Sequence, residues 1–155
     1  MLNQTLDHDW IANHIPHQGS MCLLESVQTW NQEKIVCHAN SHRAPDNPLR
    51  AHGKLGIACG IEYAAQAMAI HGALLAPTGT TKPKVGYLVS VRGVTMAVTR
   101  LDDIDTNLVI CASCMMANES NMLYQFTVTA NHQLLLEGRA AVVLDAGSLI
   151  MNTNS

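Results

Sequence analysis

One acidic residue, Glu62, lies within the most apolar stretch of the chain, residues 55–76. Ionised carboxylates are almost never buried without a partner, so Glu62 needs a specific neighbour. Gln66 follows one turn later on the same face of the predicted helix, and its amide can hydrogen-bond the carboxyl group. Two interpretations stay open: a general acid or base facing a substrate pocket, or an acid paired with an arginine at a dimer seam.

His17 is the second candidate for acid–base chemistry. It follows Ile15-Pro16 and precedes Gly19, in a loop before the first predicted strand. Such loops place side chains at the rim of a core. The alternative is a histidine that only satisfies a backbone carbonyl group.

The loop before the apolar helix carries further polar candidates. Asn47 and His52 could each reach a site at the helix start. The backbone amides of residues 55–58 are expected to be unpaired donors that polarise a carbonyl oxygen, as in an oxyanion hole. The predicted substrate-binding residues are therefore Gln66, Asn47, His52, Gly56, Ile57 and Ala58.

Two other patterns suggest metal or redox chemistry, and both are incomplete. Cys111 and Cys114 have CxxC spacing, but on a strand that spacing points the sulfurs to opposite faces and favours core packing. His14 and His17 have HxxH spacing without a matched cysteine or acidic cluster. We expect neither a metal site nor a cofactor, since no glycine-rich phosphate loop or GxSxG elbow occurs.

The elements that position these residues follow from hydrophobic periodicity. The pattern predicts a short helix capped by Asp7, two strands, one long apolar helix and then four strands. The predicted bounds are 7–14 and 55–76 for the helices, and 21–30, 33–41, 85–100, 107–117, 122–130 and 133–144 for the strands.

The strand patterns indicate a sheet with one buried face. Tyr124, Phe126, Val128 and Ala130 share one face of a predicted strand, and Gly93 predicts a bulge in another. Consecutive strands joined by short turns pair antiparallel. A helix that is apolar on every side needs cover on every side, so we predict an α+β fold with a curved antiparallel sheet wrapped around one long central helix.

Composition narrows the class of protein. A length of 155 residues suggests one domain, predicted over 1–145 with a flexible tail over 146–155. Charged residues make up 14%, against about 25% in average proteins, which suggests surface hidden against another copy. The net charge of −3 argues against nucleic acid. Five cysteines, an odd number, and an N-terminus without a signal-peptide pattern favour the cytoplasm. The polar residues within 55–76 argue against a membrane span.

Two motifs resemble a known family. Residues 15–25, IPHQGSMCLLE, resemble the opening PHR-x-P-(F/M)-LL-(V/L)-D of hot-dog-fold 3-hydroxyacyl-(acyl carrier protein) dehydratases. Residues 60–69, GIEYAAQAMA, resemble the helix motif E-(A/Y)-(M/A)-AQ-x-(M/x)-A of the same family. The nearest branch is the predicted dehydratases of aryl polyene gene clusters.

The resemblance implies the hot-dog fold and dehydration of a 3-hydroxyacyl thioester, borne on acyl carrier protein, to the trans-2-enoyl thioester. It implies a dimer joined sheet edge to sheet edge, with active sites completed by both subunits. It also implies that Glu62 is the catalytic carboxylate, with Gln66 as its support. An acyl thioesterase, with Glu62 activating water, and a degenerate acyl-binding subunit are the alternatives. Residues that could contact an acidic carrier protein are Arg43, Arg50, Lys54, Lys82 and Lys84.

One departure from the family pattern concerns the catalytic histidine. The main branch carries GHFPG-x-P-x-x-PG before the helix, whereas residues 45–53 here read PDNPLRAHG. The histidine position falls at Asn47 or Pro48, and neither can act as a base. Either His17 or His52 takes that role, or the chain no longer dehydrates. We favour His17, because its motif lines the acyl tunnel in the family.

Overall fold

The computed structural model describes residues 5–76 and 86–144, which form two α-helices and one six-stranded antiparallel sheet. The helices are α1 (His8–Ala12) and α2 (Gly60–Leu75). The strands are β1 (Ser26–Trp30), β2 (Lys34–Ala39), β3 (Gly86–Met96), β4 (Leu108–Ala117), β5 (Asn121–Ala130) and β6 (Gln133–Leu144). Their order across the sheet is β1-β2-β4-β5-β6-β3, with every neighbouring pair antiparallel. The predicted order of elements is confirmed.

The core lies between α2 and one face of the sheet. Tyr124, Phe126, Val128 and Ala130 of β5 are all buried, as their alternation predicted. The helix packs against β2, β4 and β5. Full burial of one large apolar side chain contributes about 1.5–3 kcal/mol. Packing of this kind fixes α2, and every side chain on it, relative to the sheet.

The first residue of α2, Gly60, makes a close approach to the sheet. A Cβ atom there would lie 2.7 Å from Leu136 Cδ2 of β6. Only glycine fits without displacing that leucine. The first helical turn, which carries Glu62, is therefore seated directly on β6.

Three local predictions are confirmed. The Asp7 side chain caps α1 by accepting a hydrogen bond from Trp10 N at 2.9 Å. Gly93 has a φ of 60° where the β3–β6 register shifts. Asn131 and His132, with φ of 50° and 64°, form the turn between β5 and β6. The predicted tail at 146–155 lies outside the described residues.

The predicted strand over 21–30 is wrong in its first half. Gly19–Met21 form a 3₁₀ turn, and β1 begins only at Ser26. The amide of Leu23 donates to Gln66 Oε1 at 2.9 Å instead of to a neighbouring strand. A side chain from α2 therefore takes the place of the backbone partner that a strand requires.

The long helix begins at Gly60 and not at residue 55. Leu55 donates its amide to Asp102 Oδ1 at 2.9 Å, and its carbonyl oxygen accepts from Leu101 N at 2.7 Å. These bonds hold Leu55 against Leu101 and Asp102, and a 3₁₀ turn over Ile57–Cys59 then leads into α2. Arg100 forms an ion pair with Asp102. The hydrogen bond from Arg100 is the main cause, and the bond from the Leu55 amide the second, that holds the pKa of Asp102 well below its usual range.

The expectation that α2 is covered on every side is wrong within this chain. Glu62, Ala65, Ala69 and Gly72 are only partly buried. Their spacing of three or four residues places them on one flank of the helix. No helix in the described ranges has the length and hydropathy to cross a membrane.

Candidate active site

The structure brings His17 and Glu62 together. His17 Nε2 lies 3.0 Å from Glu62 Oε1, and the two side chains are 25% and 33% exposed. Both belong to the same chain. A histidine and a carboxyl group in direct contact, partly open to solvent, can hold and exchange a proton. We call this pair the dyad.

The backbone on either side of His17 is held in place. Upstream, Ile15 is buried and donates its amide to Ile11 O at 3.2 Å. Downstream, Gly19 takes a φ of 57° and the chain enters the 3₁₀ turn. The Nδ1 atom of His17 is buried and has no hydrogen-bond partner among the described residues, so Nε2 is the atom available for proton transfer.

Gln66 supports the dyad and also ties two segments together. Its Nε2 donates to Glu62 Oε1 at 3.4 Å, as the helical spacing predicted. The same nitrogen donates to Met21 O at 2.7 Å, and Oε1 accepts from Leu23 N at 2.9 Å. The fully buried Gln66 therefore fixes residues 21–23 to the helix that carries Glu62.

Asn47 lies in a buried hydrogen-bond network and not at the dyad. Its Nδ2 donates to Tyr63 Oη at 3.1 Å and to Ser41 O at 2.9 Å, while Oδ1 accepts from Leu49 N at 2.9 Å. Asn47 is 5% exposed, and the structure does not bring it to the dyad, so its substrate contact stays a prediction.

Two residues that sequence reasoning missed, Ser41 and Tyr63, continue this network. Ser41 Oγ lies 2.7 Å from Tyr63 Oη and donates to Leu23 O at 2.8 Å. Burial is the main cause that raises the pKa of Tyr63, so its hydroxyl stays protonated and donates to Ser41. The only sequence signal was a tyrosine beside Glu62, and nothing local identified its partners.

His52 is not brought to the dyad. It is exposed and has a φ of 54°, in a tight turn closed by hydrogen bonds between Ala51 and Lys54. The choice between the two histidines therefore favours His17 on geometry.

The prediction of unpaired amides over residues 55–58 is wrong for two of the four. Leu55 N is bonded to Asp102, and Ile57 N donates to Thr99 O at 3.1 Å. Gly56 and Ala58 are exposed and remain as possible donors to a thioester oxygen. Any substrate contact from Ile57 must come from atoms other than its amide hydrogen.

The other patterns take no part in the site. His14 stacks on Trp10, with ring centroids 3.7 Å apart. Cys111 and Cys114 are both free and half-buried on β4. Within residues 5–76 and 86–144, no group of three or more histidine, cysteine or acidic side chains is close enough to hold a metal ion.

A six-stranded antiparallel sheet packed on one long helix defines a hot-dog-fold protein, and the histidine–carboxyl pair lies at the first turn of that helix. The sequence profile of the ApeP dehydratases matches residues 10–149. The chain belongs to this ApeP-like family and is a dehydratase. The resemblance to hot-dog dehydratases of the aryl polyene branch is thereby confirmed.

Solved structures with the same fold include dehydratases and thioesterases. The dehydratase heterocomplex ApeI:P from Xenorhabdus doucetiae gives a TM-score of 0.82 at 20% identity, over 94% of this chain and 97% of that one. A mutant thioesterase from Pseudomonas aeruginosa gives 0.65 at 11% identity, over 93% and 97%. Zebrafish thioesterase superfamily member 2 gives 0.61 at 17% identity, over 88% and 92%. No curated protein matches the sequence.

Proposed function

We propose that this dehydratase removes water from a 3-hydroxyacyl thioester and that the dyad performs the reaction. The observation that carries the proposal is the 3.0 Å contact between His17 Nε2 and Glu62 Oε1. Dehydration needs a base at C2 and an acid at the 3-hydroxyl group, which are adjacent positions of one substrate. Two proton-transfer groups in contact match that requirement.

The reaction balances with the dyad alone. The C2–H bond breaks and its proton goes to His17 Nε2, while the electron pair forms the C2–C3 double bond. The C3–O bond breaks, and the hydroxyl group leaves as water with the proton of Glu62. Afterwards the proton on His17 returns to Glu62 across 3.0 Å, which restores the starting state. The amides of Gly56 and Ala58 are the candidates to polarise the thioester oxygen.

An acyl carrier protein is the proposed source of the substrate. Of the predicted basic contacts, Arg43 donates to Asp105 O at 2.8 Å, and Arg50 donates to Ala44 O at 2.9 Å. Neither bond neutralises a guanidinium charge, so both cations remain able to attract an acidic partner. Lys54 is exposed. Lys82 and Lys84 lie outside the described residues.

A second hot-dog subunit is the proposed structural partner. Within the described residues β3 pairs only with β6, and it exposes Tyr87, Leu88 and Val89 at 49%, 39% and 58%. An unpaired apolar edge strand is a surface for strand pairing. The open flank of α2, which includes Glu62, would gain cover from the same neighbour. Whether that neighbour is a second copy or a related chain is decided by mixing experiments.

The alternative activity is acyl thioester hydrolysis, which the thioesterase structures with the same fold favour. In that case Glu62 activates a water molecule and the product is a free thiol and an acid. A chain that binds the acyl group without turnover is the third outcome.

One assay separates these functions. The chain is incubated with a 3-hydroxyacyl thioester on a carrier protein, and the products are resolved by mass spectrometry. We expect loss of water, whereas thiol release would establish the thioesterase and absence of both would establish the binding subunit. Glu62→Gln should lower the rate by about 10²–10⁴-fold, because it removes the acid. The exposed Glu33→Gln is the matched control and should be unaffected.

The proposed assembly is tested at the edge strand. Val89→Lys places a charge in the middle of the apolar edge, and we expect a smaller particle by sedimentation. Met116→Lys is the matched control, because Met116 is 65% exposed on β4, which β5 and β6 separate from β3 in the sheet. If Val89→Lys leaves the particle size unchanged, β3 is not the assembly edge.

A further inference from the structure

A directional hydrogen-bond chain reaches the dyad from the loop before α2. Because the single hydroxyl hydrogen of Ser41 goes to Leu23 O, Tyr63 must donate to Ser41 and accept from Asn47. The path continues through residue Leu23, whose carbonyl oxygen and amide belong to two successive peptide groups. The amide donates to Gln66, and Gln66 donates to Glu62. The order is Asn47, Tyr63, Ser41, Leu23, Gln66, Glu62 and His17.

Leu23 is the junction of this chain. Its carbonyl oxygen accepts from Ser41 at 2.8 Å and its amide donates to Gln66 at 2.9 Å, so its backbone is held on both sides by side chains. Residues 18–23 join Leu23 to His17 through the 3₁₀ turn. A rotation at Leu23 would therefore move His17 and release Gln66 at the same time.

We propose that Ser41, Tyr63 and Asn47 are positioning residues for the dehydratase reaction, which set the distance between His17 Nε2 and Glu62 Oε1. The inference rests on the proposed function of the dyad. Tyr63 follows Glu62 directly on α2. The network therefore attaches the segment that contains His17 to the helix that carries Glu62. The hydrogen bonds of the three side chains go to one another and to backbone groups, and not to the dyad.

The network also gives Asn47 a role, in the segment where the histidine of the resembling family falls at Asn47 or Pro48. Asn47 presents two amide hydrogens and an acceptor oxygen. Both hydrogens and one lone pair of the oxygen are used within the loop and the network. A buried polar group that is fully bonded holds its neighbours in one arrangement, since breaking a single link leaves other groups unsatisfied. The position has therefore become part of the support for the site.

The test removes and then restores the link to Leu23. Ser41→Ala deletes the donor, and we expect kcat to fall about 10–100-fold with KM changed by less than about twofold, because misplacement by about 1 Å costs up to 10²-fold in rate. Ser41→Thr keeps a hydroxyl group and should restore kcat to within about threefold. Tyr63→Phe removes the donor that orients Ser41 and should give a smaller loss of the same kind.

Tyr124→Phe is the matched control. Tyr124 is fully buried, and its hydroxyl lies 2.6 Å from His71 Nδ1, in a separate network. We expect it to lose stability in thermal unfolding and to keep its kcat. If Ser41→Ala has normal kcat, or if Tyr124→Phe loses kcat equally, the positioning role is wrong. Glu62→Gln separates failure of the dyad mechanism from failure of the positioning role. A fully active Glu62→Gln would overturn the dyad mechanism. An inactive Glu62→Gln together with a fully active Ser41→Ala would overturn only the positioning role.

Discussion

The two ends of α2 each hold a histidine in contact with a polar partner, and they use it differently. At the N-terminal end, His17 Nε2 meets Glu62 Oε1, with both side chains partly exposed. At the other end His71 is fully buried, with Nδ1 2.6 Å from Tyr124 Oη and Nε2 2.8 Å from Asn31 O. A proton can enter and leave the first pair. The second pair is buried away from solvent, and both ring nitrogens of His71 form hydrogen bonds within the core.

Charge separates the two histidines further. His71 has a hydroxyl and a carbonyl oxygen as partners and no carboxylate. Nε2 donates to the carbonyl of Asn31, and in a neutral ring Nδ1 accepts from Tyr124. Burial is the main cause that lowers the pKa of His71. Contact with a carboxyl group near solvent is therefore what distinguishes a histidine suited to catalysis from one that only joins the helix to the sheet.

The largest expected effect comes from breaking the dyad as a unit. His17→Gln should lower kcat by about 10²–10⁴-fold, and the His17→Gln/Glu62→Gln double variant should be scarcely slower than either single variant. The reason is that acid and base act in one step, so loss of either stops it. Single-turnover rates check the prediction. Multiplicative losses would show that the two residues act independently.

A smaller effect, on stability alone, is expected at the buried end. His71→Leu should lower the free energy of unfolding by about 2–3 kcal/mol, because it leaves buried partners without a hydrogen bond. Adding Tyr124→Phe should cost less than the sum of the two single changes. Urea unfolding measures all three variants, and kcat at low temperature should stay near normal. A large loss of kcat in His71→Leu would contradict the contrast between the two ends.

The smallest expected effect is the pH dependence of stability. His71 and His42 both have a pKa lowered chiefly by burial, so the unfolded chain binds more protons than the folded one below about pH 6.5. The contribution of these histidines to the free energy of unfolding is therefore fully present above that pH. It is lost as the pH falls through their pKa values in the folded chain. The slope should approach about 1.4 kcal/mol per pH unit for each histidine. Between pH 6.5 and 5, the free energy of unfolding of His71→Leu should change less steeply with pH than that of the unchanged chain. An unchanged slope would exclude His71 as a cause of the pH dependence.

Much of the fold could be predicted because its signals are local. Alternation in β5, the Asp7 cap and the Gly93 bulge each depend on neighbouring residues, and each is confirmed. The predicted bounds of one strand and of the long helix were wrong where a side chain distant in sequence accepts a hydrogen bond from a backbone amide. Leu23 gave its amide to Gln66 and Leu55 gave its amide to Asp102, so a strand was shortened and a helix began late.

The sequence by itself determined the order of elements, the buried face of the sheet and the acid in the apolar helix. Periodicity and residue type act over a few positions, and so they can be read along the chain. Only the tertiary structure decided that His17 and not His52 meets Glu62, and that Asn47 joins a buried network with Ser41 and Tyr63. Those outcomes depend on hydrogen bonds between segments far apart in sequence, whose geometry is set by how α2 packs on the sheet.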